Sequence, residues 1–176
     1  NEHCKSKFTS SELVEQLTMS GVECETINQK GNKLIKFDIT PNRADCFSVR
    51  GITNELLAMG LIKQSKNESQ SAEVHHDHSV KINISSPKDC PVFATRIINN
   101  INSDAKTPQP IKQKLKESGY KSINIIVDIT NYVMITTGQP LHAYDLDCIN
   151  SPIVVRKAKN KETIELLDGS SKTLNE

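Results

Sequence analysis

Between Ser122 and Asn150 the chain reads SINIIVDITNYVMITTGQPLHAYDLDCIN, and four of its residues are of types that do chemistry: Asp128, Thr130, Asn131 and His142. A carboxylate, a hydroxyl, a carboxamide and an imidazole so close in sequence are more hydrogen-bonding capacity than a packed core needs, and they point to a ligand. Two elements must position them. Ile123 to Val127 is apolar and mostly β-branched, the composition of a strand buried on both faces. From Asp128 the period changes: Ile129, Val133 and Thr136 recur at three- and four-residue intervals, Gly138 stands where a helix stops, and Pro140 follows. This pattern predicts Thr130 and Asn131 in the first turn of a helix, where unpaired N–H groups and the positive end of the dipole favour a carboxylate, a phosphate or a developing oxyanion. The chain then returns through Leu141-His142-Ala143, which would carry the imidazole back toward that turn.

Each residue also has a plain structural role open to it. Asp128 and Thr130 are ordinary capping residues. Asn131 can serve nearby backbone. His142, between Leu141 and Ala143, can be a satisfied structural histidine.

The chain has 176 residues, enough for one medium domain or two small ones. With 22 basic and 21 acidic side chains and a net charge of +1, it has no global field for nucleic acid, so any contact with RNA must be local. Five cysteines, at 4, 24, 46, 90 and 148, form no CxxC pair and leave an odd count, which suggests neither a disulfide framework nor a zinc site. The N-terminal NEHCKSKF lacks the apolar core of a signal peptide, and no long apolar run is present. A cytoplasmic protein with no membrane or DNA partner is the expectation.

Taken in order, Thr9 and Glu12 form a capping-box pattern ahead of Leu13, Val14 and Leu17, with Gly21 closing a first helix. Val22 to Ile27 and Leu34 to Ile39 read as two strands joined at Gln29-Lys30-Gly31-Asn32. A second helix is expected from about Asp45 or Cys46 to Gly60. Arg43 is either an RNA contact or half of an Arg–Asp staple with Asp45. Lys63 to Ser79 is polar and reads as a linker, in which His75, His76 and His78 beside Asp77 are metal-capable but more simply solvated. Val80 to Ile84 and Pro91 to Ile98 look like strands. A helix opens at Pro108 or Pro110 and runs to about Ser118. Ile153 to Lys157 and Thr163 to Leu167 read as a hairpin, with Asp168-Gly169 as the next turn. The fold class is α+β: residues 1–62 form a small helix-hairpin-helix domain, 63–79 the linker, and 80–176 part of a mixed α/β domain.

VDITNYV, GQPLHAYD and VVRKAKNKETIELLDG strongly resemble the opening of the editing module in the beta subunit of bacterial-type phenylalanyl-tRNA synthetases. FDITPNRADCFSVRGITNELLAMG, from Phe37 to Gly60, independently resembles the N-terminal domain of the same subunit. The resemblance implies a part of phenylalanine-tRNA ligase, a heterotetramer of two alpha and two beta subunits that charges the tRNA for phenylalanine and hydrolyses mischarged tyrosyl-tRNA. It implies no cofactor in this chain, with ATP and magnesium required by the whole enzyme, and no metal. Thr130, Asn131 and His142 correspond to the hydrolytic pocket. Lys121 stands where the family commonly has an arginine near the tRNA end; lysine keeps the charge but lacks the planar fork. In most of the family a tRNA-binding barrel is inserted between the two early strands, whereas here a few residues join them. The editing module continues beyond residue 176 in the family, so 80–176 is expected to be its first half, with an incomplete editing site. A free-standing RNA-binding or trans-editing protein, or a non-catalytic scaffold for the alpha subunit, are the alternatives.

Overall fold

A computed structural model describes residues 4–29, 31–64, 72–166 and 169–175. The structure is mixed α and β, and the chain divides into two compact units, each made of two separate stretches: Asn1–Ser71 with Asn102–Ala143, and Ala72–Ile101 with Tyr144–Glu176.

In the first unit, β1 (Cys4–Ser6) precedes α1 (Ser10–Met19). Thr9 caps α1 as its sequence predicts: Glu12 N–H donates to the Thr9 hydroxyl at 3.3 Å, and Thr9 N–H donates to the Glu12 carboxylate at 2.7 Å. Two first-turn donors are thereby satisfied. β2 (Cys24–Gln29) and β3 (Asn32–Phe37) form an antiparallel hairpin, paired from Cys24 with Phe37 to Gln29 with Asn32. Both strands lie two residues nearer the turn than their apolar residues suggest, because pairing continues through polar positions once the turn sets the register. Gly31 supplies the positive φ of +88° that this turn needs, and Lys30 lies outside the described residues.

The second helix begins later than expected. Pro41–Cys46 is a 3₁₀ segment, broken at Arg43, and α2 (Val49–Ala58) starts only after Ser48, whose hydroxyl accepts from Gly51 N–H at 3.0 Å. β4 (Ile62–Gln64) pairs antiparallel with β1, so Lys63 and Gln64 belong to a strand although composition assigns them to a linker. Residues 65–71 of that linker lie outside the described residues, and 72–79 have no regular structure. Leu17, Val22, Leu56 and Ile62 form the buried core of this unit, with Leu13, Phe37 and Ile52 packed on it. α3 (Gln109–Glu117) and α4 (Ile125–Thr137) pack against each other, with Leu115 fully buried, and α4 also packs on α2.

Ile123 to Val127 is therefore not a strand. Asn124 caps α4, its side chain accepting from Val127 N–H at 2.9 Å, and Ile125 to Val127 enter the first helical turn. A short β-branched run fits a strand and a buried helix equally by periodicity; the cap in front of it decides.

In the second unit, β5 (Ile82–Ile84) pairs in parallel with β6 (Ile153–Val155), and β7 (Thr163–Glu165) pairs antiparallel with β8 (Ser171–Thr173). The expected β6–β7 hairpin is absent among the described residues. The segment between them folds on a side chain: Arg156 donates two hydrogen bonds to Glu162, at 2.8 and 2.6 Å, and Lys159 N–H donates to the same carboxylate at 2.7 Å. Those bonds, Arg156 foremost, hold the Glu162 pKa down at about 2. Between β7 and β8 the Gly169 N–H donates to the Leu166 carbonyl at 2.9 Å, while Leu167 and Asp168 of the expected strand end and turn lie outside the described residues. Pro91 to Ile98 is not a strand, since its residues meet no partner edge and propensity without a partner does not make one.

No described residue of the second unit is buried, while Val92 is 76 % and Ile98 67 % exposed. Two-stranded sheets are marginal by themselves, and exposed apolar surface favours association. Sedimentation should show a weight-average mass that rises with protein concentration, and a monomer at all concentrations would contradict this. In the first unit a Cβ at Gly51 would run into the carbonyl of Asp45. Gly51→Ala should therefore cost about 3 kcal/mol, read from urea midpoints, and an unchanged midpoint would show that the 3₁₀ segment yields freely.

Candidate functional site

The polar residues of the central stretch fall into two groups, and the first is built around Asp128. Its side chain is completely buried. The Thr107 hydroxyl donates to it at 2.6 Å, the Ser122 hydroxyl at 2.6 Å and Ile123 N–H at 2.9 Å. Burial alone would push the carboxyl pKa up; the bonds from Ser122, Thr107 and Ile123, with the charge of Lys112, outweigh it and leave it below the usual carboxylate value. Asp128 is the fourth residue of α4, so its charge also lies at the favourable end of the helix dipole. The carboxylate is thus structural and anchors the segments entering α3 and α4. Composition hides the partner Thr107, but an acid embedded in the β-branched run IIVDIT was the available signal.

Thr130 and Asn131 are the sixth and seventh residues of α4, in its second turn rather than its first. The helix-terminus argument for anion binding does not reach them, because dipole and free donors fade within the first turn. Both are half-buried, and the Thr130 hydroxyl donates to the Val127 carbonyl at 2.8 Å. Its hydrogen is committed, so it faces outward only as an acceptor. α4 ends at Gly138 in the left-handed conformation, with the Gly138 N–H donating to the Met134 carbonyl at 2.8 Å. A side chain there would press on Ser48, the cap of α2. His142 is exposed in the loop beyond, and Gly138 lies about 12 Å along the axis from Thr130. Lys121 is exposed just before Ser122.

Two further polar groupings resolve into local structure. Arg43 donates to both oxygens of Asp45, at 3.1 and 3.0 Å, and to Glu55 at 2.7 Å. The Arg–Asp staple is the role the structure gives it. Asp45, Cys46 and Glu55 have ligand atoms within 4.8 Å of one another, a set that can hold a cation, but the guanidinium already serves both carboxylates. The Cys46 thiol is pushed up by burial and the acids around it. In the second unit the His76 and His78 rings stack at 4.8 Å, and Asn99 lies 3.4 Å from the His78 Nδ1. Among the described residues no helix is long and apolar enough to cross a membrane.

The chain belongs to the B3/4 domain family, whose model matches residues 89–176. Over most of its length it is also similar to phenylalanine–tRNA ligase beta subunits of bacteria. It is 42 % identical over 141 residues to that of Neisseria gonorrhoeae, covering 80 % of this chain and 18 % of the relative. For Photorhabdus laumondii the identity is 39 % over 154 residues, covering 88 % and 19 %, and for Aliivibrio fischeri 39 % over 165 residues, covering 94 % and 21 %. The chain spans about a fifth of the length of these curated relatives.

Asp128→Asn replaces an acceptor with a group that must turn a donor toward one of three donors, and should cost about 2–4 kcal/mol at neutral pH. A depressed folded pKa contributes stability above the unfolded value near ~3.9 and loses it as pH falls through the folded one. The gap between wild type and Asp128→Asn in chemical unfolding should therefore shrink below about pH 4. A gap that does not depend on pH would mean the site is held by shape, not charge.

Proposed function

We propose that this chain is a part of a phenylalanine–tRNA ligase beta subunit that supports the charging of tRNA with phenylalanine and contributes to hydrolysis of mischarged tyrosyl-tRNA. The identity of 39–42 % to such subunits across 80–94 % of the chain carries this reading. A free-standing RNA-binding protein or a bare scaffold is not favoured by those relatives. In the proposal residues 1–62 act as the N-terminal helix-hairpin-helix domain, 63–79 as its linker and 80–176 as the first part of the editing module. The partners are an alpha subunit, in a heterotetramer of two alpha and two beta subunits, and the tRNA, in the cytoplasm. ATP with magnesium supplies the activation of the amino acid in the synthetic step of the whole enzyme.

Discrimination of tyrosine from phenylalanine turns on one hydroxyl, and a second, hydrolytic site answers where the first pocket is not selective enough. The roles follow from the hydrogen-bonding state of each group. Thr130 accepts a hydrogen bond from the attacking water or a ribose hydroxyl, because its own proton is held by Val127. Asn131 can donate from its amide nitrogen to the ester oxygen as charge develops there. His142 orients the terminal ribose or relays the proton of the attacking water. Lys121 meets a phosphate near the tRNA end as a point charge.

In a complete beta subunit assembled with alpha, His142→Ala should slow deacylation of tyrosyl-tRNA by about 10²-fold while leaving phenylalanine charging intact. An unchanged deacylation rate would remove His142 from the reaction. Co-purification of this chain with an alpha subunit tests the partnership separately.

A further inference from the structure

A groove of about 390 Å³ runs between the hairpin and α3 in the first unit. Gln29 and Asn32 line one side, and Gln109, Lys112, Gln113, Lys116 and Glu117 the other. All seven lining residues are of polar types, so the groove has no aliphatic or aromatic side chain to anchor a hydrophobic peptide or an acyl chain. Four of the seven residues are carboxamides, each offering both donors and an acceptor. Lys112 and Lys116 stand one helical turn apart, about 5–6 Å between Cβ atoms, and neither is in an ion pair among the described residues. Glu117 is already engaged, accepting from Asn32 at 3.2 Å and from Gln113 at 2.9 Å.

The charge around the groove singles it out further. Residues 102–123 contain five lysines and two acids, whereas the rest of the chain carries more acid than base. The small positive charge of the molecule is concentrated on α3 and its flanks, where Lys106, Lys116 and Lys121 are exposed. Lys114, on another face of α3, lies over the Tyr132 ring at 5.4 Å.

We propose that this groove binds the sugar-phosphate backbone of an RNA strand, with Lys112 and Lys116 on phosphates and the carboxamides on ribose hydroxyls and phosphate oxygens. No aromatic side chain lines it, so it offers no stacking platform, and binding is set by charge and the 2′-hydroxyl rather than by base sequence. An acidic protein segment brings a charge only where it has an acidic side chain, whereas every nucleotide of an RNA strand carries a phosphate, which suits two lysines one helical turn apart. The inference rests on the proposed function only in choosing RNA over DNA, and it is separable from it because binding needs none of Thr130, Asn131 or His142.

The test is fluorescence anisotropy of a labelled oligouridine with the full chain over a range of salt concentrations. Lys112→Gln combined with Lys116→Gln should weaken binding by about tenfold or more at low salt and reduce the slope of log K against log salt by about 1.4. Glu117→Gln keeps the shape and removes a negative charge, so it should tighten binding by about two- to threefold. That opposite sign is an effect that misfolding cannot mimic. Lys36→Gln, at a hairpin lysine paired with Glu25 at 2.9 Å, should change nothing. Absence of binding, an unchanged slope in the double variant, or no tightening in Glu117→Gln overturns the proposal. Equal affinity for an oligodeoxythymidine overturns the role of the ribose hydroxyls, and polyglutamate binding with the same variant pattern reassigns the groove to an acidic protein.

Discussion

A buried carboxylate must be met by donors, and in this molecule Asp128 is met by three from two separate stretches of chain. Thr107 lies just before α3, and Ser122 and Ile123 lie just before α4, so one side chain pins both helix entries together. Leu115 then packs without exposure between these helices. The interaction also fixes which way α3 turns its lysines: with Leu115 inward, Lys112 and Lys116 are presented toward the hairpin. Removing an acceptor at this point would leave hydroxyl and amide donors buried without partners, a larger loss than any exposed ion pair on the surface.

The two units differ in how they are held. The first has a continuous apolar core, α1, α2 and α4 each open on a side-chain cap, and its ion pairs at Arg43 only trim the approach of the 3₁₀ segment to α2. The second has two short sheets, a carboxylate clasp at Glu162 and no buried residue among those described. The B3/4 match at 89–176 spans parts of both, so the family relationship follows sequence while compactness follows packing. These are different partitions of one chain, and α3 and α4 are where they diverge.

The hydrogen-bonding state of the α4 residues constrains chemistry more than their identity does. Asp128 is saturated by donors and sealed from solvent, and is thereby withdrawn from reaction. Thr130, two residues on, retains acceptor capacity alone. Gly138 lets the helix stop against Ser48, and the exposed loop that carries His142 starts from that fixed point.

Much was legible in the amino-acid order itself. Thr9 with Glu12, the turn at Gly31, the stop at Gly138 and the Arg43–Asp45 staple are all local, each formed by residues a few positions apart, and local hydrogen bonding follows from local sequence. The stretches VDITNYV and GQPLHAYD carried the family in the same way. What the order of residues left open was every decision that depends on a distant partner. Ile123 to Val127 reads as a strand until Asp128 meets Thr107 from a separate stretch of chain, and β6 reads as a hairpin arm until β5 supplies a parallel edge. Lys112 and Lys116 of α3 line a groove only because the hairpin stands across from them. Periodicity records what a segment can bury, but which neighbour it buries against is settled only when the chain is folded.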